Sequence, residues 1–376
     1  MQAVRQIEPS PGLVTAPRSP RLWVPRRVLV TPAALEWEHG RQIVARAEAI
    51  GSTVVRLTSN RVTGISGRSA DPLDARRAYA DAKTTLAVVV SPPGKRKLQP
   101  IPPSADWQFH FAEGCPAHCQ YCYLAGSLQG PPITRVYANL PEILEGLSPY
   151  ASGGTVTSRS QSRAAEGVTF EASCYTDPLG IEHLTGSLAE TIRYFGAWDA
   201  PVQMRFTTKF DAVQPFLALK HQRRTRIRFS VNAEKVVHDF EGGTANLAAR
   251  LGAMRLLADA GYPVGLTIAP IMPFEGWQHG YTSLLEAVGS TLSGTHELDL
   301  TVEMITHRFA PGSKDVLLSW YPKTTLDMNE EVRTRKLNKF GTFKYVYPKS
   351  KMSELRSFLT SALGRILPNA KVLYWT

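Results

Sequence analysis

Three cysteines stand at Cys115, Cys119 and Cys122 in the run Glu113-Gly114-Cys115-Pro116-Ala117-His118-Cys119-Gln120-Tyr121-Cys122-Tyr123-Leu124, a C-x3-C-x2-C loop. Three thiolates spaced this closely can hold three irons of a [4Fe–4S] cluster and leave the fourth iron open, whereas most electron-transfer clusters are closed by four cysteines. An open iron invites a chelating ligand. S-adenosylmethionine binds such an iron through its amino and carboxylate groups, and its reduction releases a 5′-deoxyadenosyl radical, chemistry that belongs to the cofactor and not to any side chain. A structural zinc site would need a fourth Cys or His at a compatible spacing. His118 lies inside the loop, where it is badly placed to complete a tetrahedron with all three. A disulfide would leave an odd thiol.

The chain has one more cysteine, Cys174, in Glu171-Ala172-Ser173-Cys174-Tyr175-Thr176-Asp177-Pro178. Isolated cysteines are most often small buried hydrophobes. Here Gly167-Val168-Thr169-Phe170 reads as a strand and Ile181 to Phe195 as the helix after it. Cys174 therefore falls where a strand gives way to its loop, the catalytic edge of a parallel barrel.

These residues need a scaffold, and the middle of the chain supplies an alternating pattern. Candidate strands are Trp107-Phe111, Gly167-Ser173, Val202-Thr207, Arg226-Val231, Val264-Ile271 and Leu298-Ile305. Helical patterns separate most of them; Asn246 to Ala260 is the clearest, with Leu247, Leu251, Met254 and Leu257 on one face, and Tyr281 to Leu292 is similar. The pattern predicts an α/β fold, a partial (β/α)6 TIM-like barrel over 106–310 with the cysteine loop following its first strand. Residues 21–105 read as an αβ cap, with a strand at Arg27-Val30, a helix from Ala34 to Ile50 and a strand at Thr84 to Val90. Residues 1–20 read as a disordered tail, and 149–167, rich in Ser, Gly and Arg, as a flexible loop.

The 376 residues carry a formal net charge of +11, and 43% of them are hydrophobic. That is enough for a large core, and the charge favours a polyanionic partner. No apolar run is long enough to span a membrane, and the N-terminus lacks a signal-peptide core. With four cysteines, this fits a cytoplasmic protein. In 311–376, Arg333, Arg335, Lys336, Lys339, Lys344, Lys349 and Lys351 interleave with Phe340, Phe343, Tyr345 and Tyr347. Gly341-Thr342 is placed to turn a β-hairpin between Leu337-Phe340 and Phe343-Tyr347. Cations there would meet phosphates and aromatics would brace an extruded base. A solvated amphipathic edge would read the same way. The run His221-Gln222-Arg223-Arg224 reads as an ordinary exposed loop.

Together these blocks resemble the spore photoproduct lyases of the radical S-adenosylmethionine superfamily. The resemblance runs from about Arg27 to Thr376. It rests on the cysteine loop followed by Tyr123-Leu124, on Glu171-Ala172-Ser173-Cys174-x-x-Asp177, on Phe206-Thr207-Thr208-Lys209, on Phe229-Ser230-Val231-Asn232, on Ala269-Pro270-Ile271, on Glu275-Gly276-Trp277, on Thr306-His307-Arg308-Phe309 and on Lys344-Tyr345-Val346-Tyr347. The resemblance implies repair of ultraviolet-damaged DNA, by splitting a thymine dimer in which one base's methyl carbon is bonded to its neighbour. It implies Cys174 as hydrogen-atom donor, with Tyr121 and Tyr123 restoring it. It implies Cys115, Cys119 and Cys122 as ligands of the [4Fe–4S] cluster. Tyr123, Thr176, Asp177, Lys209, Ser230, Asn232 and Ala269 are implied as S-adenosylmethionine contacts, and Lys339, Phe340, Lys344, Tyr345 and Tyr347 as lesion or DNA contacts. A flavodoxin or ferredoxin would supply electrons to a monomer. Two departures stand out: Thr176 replaces a serine, and Lys339-Phe340 replaces an Arg-Tyr pair. Two other readings remain, a radical enzyme acting on another nucleic-acid or nucleotide substrate, and an iron–sulfur DNA sensor without turnover.

Overall fold

In the computed structural model the described residues are 22–63, 65, 71–127, 130–337 and 341–376. The expected tail, 1–20, and the expected lesion contacts Lys339 and Phe340 lie outside them. Six strands run parallel as consecutive neighbours: Ala105–Phe109, Val168–Ala172, Val202–Thr208, Thr225–Val231, Val264–Ile271 and Leu300–Thr306. They form the body of an eight-stranded sheet, curled as a partial barrel. Gln99–Ile101 adds antiparallel to one edge and Lys371–Trp375 parallel to the other. These two edge strands escaped the sequence pattern because Gln99–Ile101 is short and Lys371–Trp375 follows a long non-barrel segment.

The first barrel strand lies two residues earlier than expected, because the chain turns at His110. There the backbone N–H groups of Phe111 and Ala112 donate to Ser173 Oγ (3.0 and 3.3 Å) rather than to a neighbouring strand. The helix expected over 181–195 is broken at Gly186, whose φ of +67° is left-handed and suits glycine. Glu182, one turn before the break, caps the helix Ser187–Ala197 by accepting from the N–H groups of Leu188 and Ala189, both at 2.9 Å. The cap helix likewise divides into Pro32–Glu36 and Glu38–Ala49, with Trp37 extended between them.

Strand alternation explains the core. In Thr225–Val231 the odd apolar positions, Ile227, Phe229 and Val231, pack outward under the surrounding helices, and Arg226, Arg228 and Ser230 face inward. The inner face is charged. Arg228 bonds Glu303 (2.8 Å) and Glu171, while Arg205 bonds Glu166 and lies 3.6 Å from Glu303; all are buried. A Cβ on Gly265 would lie 2.8 Å from both Arg228 Cγ and Thr301 Oγ1, so glycine there lets the guanidinium cross the lumen.

The cap sheet takes strands from both sides of the barrel's start. Arg27–Val30, Thr53–Arg56 and Thr85–Val89 are parallel, and Thr134–Tyr137 joins them from beyond the cysteine loop. Residues 149–167 correct the expectation of a flexible loop. Buried Asp106 accepts from the N–H groups of Val156 (2.7 Å), Thr157 (2.9 Å) and Thr169 (3.0 Å), and Arg163 and Glu166 form a buried ion pair at 2.9 Å. Serines and threonines there serve as donors to a carboxylate, not as solvated spacers.

Candidate active site

The cysteine loop is held from several directions. Gly114 turns into it at φ +77°, and a Cβ there would collide with the Ile133 carbonyl. Lys83, buried on the cap helix Pro72–Lys83, donates from Nζ to the carbonyls of Cys115 and Ala117. Cys119 pairs antiparallel with Glu241. The three thiols are free and close enough that charge on one raises the pKa of another. Burial pushes the Cys115 thiol up to about 12, against the pull of Lys83. Such a trio is costly as bare thiolates and suited to a bound cationic group. Among the described residues no three His, Cys, Asp or Glu side chains converge tightly enough for a single metal ion. A cubane engages each cysteine at a separate corner and needs no such convergence. The donor set and its burial fit a cluster.

The Cys174 turn lies against this loop. Ser173 is non-glycine at φ +50°, and its hydroxyl takes the two N–H groups at the His110 turn. The strained residue ends the strand and throws Cys174 out of it. The N–H of Gly114 donates to Tyr175 O at 2.8 Å, and Tyr123 Oη donates to Cys174 O, so loop and turn form one surface. The Cys174 thiol donates to Gln108 Oε1 at 3.1 Å, and burial, with Glu171 adding, raises its pKa. The site thus holds a protonated thiol, the form that can give up a hydrogen atom.

The remaining expected contacts gather around the same end of the barrel. Asp177 accepts from Thr208 Oγ1 (2.8 Å) and Lys209 N (2.6 Å), and burial lifts its pKa to about 6. Thr176 Oγ1 is buried with no partner, an open bond for a ligand. Lys209 Nζ donates to Ser230 Oγ (2.8 Å), Tyr121 Oη (2.9 Å) and Glu241 (2.8 Å). Ser230 in turn donates to Ala269 O at 3.5 Å. The Asn232 side chain is committed internally: it donates to Pro270 O (2.7 Å) and accepts from Ala233 N and Tyr281 Oη (both 3.0 Å). Sequence reasoning missed Glu241. Burial alone would raise its pKa, but Lys209 and Arg250 outweigh that and hold it near 2. Its partners Tyr121 and Lys209 lie far away in sequence and no motif marks it. Lys83, Gln108 and Ser173 were missed for the same reason, although a polar residue just before the Cys174 position was a usable signal.

The hairpin forms from Thr334–Leu337 and Phe343–Val346, with Leu337 opposite Phe343, so its first strand starts three residues before it was expected to begin, while 338–340 of the expected strand lie outside the described residues. Backbone bonds between Phe309 and Tyr345 fasten it beyond the end of the strand Leu300–Thr306, on the side where Cys174 emerges. Tyr345 and Tyr347, expected to face DNA, are 4% and 7% exposed. Tyr345 packs on Phe309, and the Arg333 guanidinium lies 3.6 Å from the Tyr347 ring centroid. Alternation drives the rings inward and leaves Lys344 partly exposed; burial, with Arg308 and Lys336 nearby, lowers its pKa. Arg335, Lys336 and Leu337 are exposed, Leu337 by 77%.

The family model for spore photoproduct lyase matches residues 23–376. The spore photoproduct lyase of Bacillus subtilis (strain 168) is 39% identical over 94% of this chain and 99% of its own length; that of Geobacillus sp. (strain Y412MC61) is 38% identical over the same shares. A spore photoproduct lyase solved with dinucleoside spore photoproduct superposes with a TM-score of 0.85 at 37% identity, covering 95% of this chain and 100% of that one. A double mutant of spore photoproduct lyase, solved with bound AdoMet and the same dinucleoside, also gives 0.85, at 36% identity and with the same coverage. The chain belongs to the spore photoproduct lyase family.

Proposed function

We propose that this protein is a radical S-adenosylmethionine DNA-repair lyase that returns the spore photoproduct, a methylene-bridged thymine dimer, to two thymines. The observation that carries the reading is the union of the cysteine loop with the Cys174 turn through Gly114–Tyr175 and Tyr123–Cys174. It sits in a chain that matches the family nearly end to end. Cys115, Cys119 and Cys122 would hold the [4Fe–4S] cluster, with Thr176, Asp177, Lys209, Ser230 and the Ala269 carbonyl around the nucleoside cofactor. Bound together, the two supply a 5′-deoxyadenosyl radical able to take a hydrogen atom from the saturated thymine ring.

After the bridging carbon–carbon bond breaks, the unpaired electron rests on the other thymine. The Cys174 S–H donates a hydrogen atom to it, leaving a thiyl radical and a closed-shell base. Tyr123, bonded to the Cys174 carbonyl, would pass a hydrogen atom to the sulfur and become a tyrosyl radical, Tyr121, bonded to Glu241 and Lys209, would restore Tyr123 in the same way, and one electron from the external donor with one proton would close the last radical. Arg335, Lys336 and Lys344 supply phosphate contacts beside the mouth. A flavodoxin or ferredoxin supplies electrons to the enzyme, a cytoplasmic monomer. No helix among the described residues is long and apolar enough to cross a membrane.

The test is anaerobic incubation of the reconstituted, reduced protein with S-adenosylmethionine and three substrates in parallel: dinucleoside spore photoproduct, a cyclobutane thymine dimer and undamaged dinucleoside. Thymidine formed from the first alone is the expected result. Thymidine from the cyclobutane dimer instead, or 5′-deoxyadenosine without thymidine, would overturn the assigned lesion. Loss of both the repaired product and 5′-deoxyadenosine in Cys119→Ala should accompany loss of the cluster.

A further inference from the structure

Cys174 donates its S–H to a specific acceptor, and that acceptor belongs to the barrel rather than to the cysteine loop. Gln108 lies on the first barrel strand, in register with Glu171 of the next, on the inner face that also carries Asp106. Its Oε1 stands 3.1 Å from Cys174 Sγ. Both residues are partly buried, and the charged lumen begins directly beside them: Glu171 bonds Arg228 and accepts from Ser104 Oγ at 2.9 Å. A thiol is a weak donor that rotates freely about its Cβ–Sγ bond. Left unbonded, its hydrogen would sample all directions. A thiolate, by contrast, carries no hydrogen atom to give.

We propose that Gln108 is the positioning residue for hydrogen-atom transfer: by accepting the S–H its carbonyl fixes the side-chain rotamer of Cys174 and so the place of the sulfur, from which the hydrogen turns about the Cβ–Sγ bond to meet the substrate radical. The inference rests on the proposed repair reaction. In that step one S–H bond breaks and one C–H bond forms, with the electron left on sulfur. Gln108 exchanges neither proton nor electron and touches no reacting carbon. Burial acts in the same direction by keeping the thiol protonated.

The chain's four cysteines make the test direct. With three ligated to the reconstituted cluster, the S–H stretching band in the infrared reports Cys174 alone, and Cys174→Ala should erase it. Gln108→Leu should shift that band toward the frequency of a free thiol and broaden it, whereas Gln108→Glu, which retains an acceptor oxygen, should hold it near the wild-type position. With dithionite as reductant, the fraction of product trapped as a thymine sulfinate should rise about three- to tenfold in Gln108→Leu, the ratio one neutral hydrogen bond is worth. Cofactor cleavage should stay unchanged, and Gln108→Glu should restore clean product. An unshifted band in Gln108→Leu would remove the hydrogen bond, and a shifted band with unchanged product partition would remove its role in transfer. Equal partition in the Leu and Glu variants would reduce Gln108 to packing. If wild-type protein repaired no dimer, the proposed function would fail while the infrared shift still reported on the bond.

Discussion

At Cys174 the proposed chemistry depends on a neighbour held in an unfavourable conformation. Ser173 accepts left-handed backbone geometry, which costs a non-glycine residue about 1–2 kcal/mol. Its hydroxyl compensates by satisfying the Phe111 and Ala112 N–H groups. Ser173→Ala should keep the strain and strand both donors, lowering stability by about 1–3 kcal/mol in chemical denaturation. Ser173→Gly should lose less, because it relaxes φ while sacrificing the same bonds. Cys174→Ala is expected to leave iron content and cofactor cleavage intact and to divert product into trapped adducts; clean thymine from that variant would mean another donor. The cysteine loop was legible as a candidate cluster site because its spacing is local. Glu241 and Lys83 were not, since each acquires its role through contacts that only the folded chain creates.

At the level of elements, the segment 149–167 was misread because serine- and glycine-rich composition resembles a linker. Its donors instead converge on a buried carboxylate. Burial by itself would raise the Asp106 pKa, but bonds from Thr157, Thr169 and Val156 outweigh it and bring it to about 2. The folded value lies below the unfolded one, so the stabilisation is complete above about pH 4 and is lost as pH falls toward 2. It amounts to something on the order of 2 kcal/mol. Asp106→Asn should therefore be less stable at neutral pH, flatten the acid limb of the stability profile, and expose 149–167 to protease. An unchanged acid limb would place the titration elsewhere. The six barrel strands were readable from their spacing and apolar runs, whereas the breaks at Trp37 and Gly186 came from capping and left-handed geometry that periodicity does not register.

Over the whole molecule, a net charge of +11 is drawn into a local feature by the hairpin, whose outer strand Thr334–Leu337 is exposed at all four positions. Lys336→Ala and Lys344→Ala should each weaken DNA binding to a similar degree across sequences and reduce the salt slope by about 1. A slope left unchanged by both would move the phosphate path away from the hairpin. The interleaving of the two sheets carries a different consequence, one for synthesis. The cap sheet waits for 134–137, beyond the first barrel strand, and the barrel's edge waits for 371–375 to pair with 300–306. Neither sheet is a unit that the ribosome can release complete before the other has begun. Pairings so distant along the chain fold slowly and leave strand edges bare meanwhile. Nascent chains arrested shortly before residue 371 should carry a formed cap sheet beside an unfinished barrel, and that edge, rather than the surface of the finished protein, is where aggregation during expression would start.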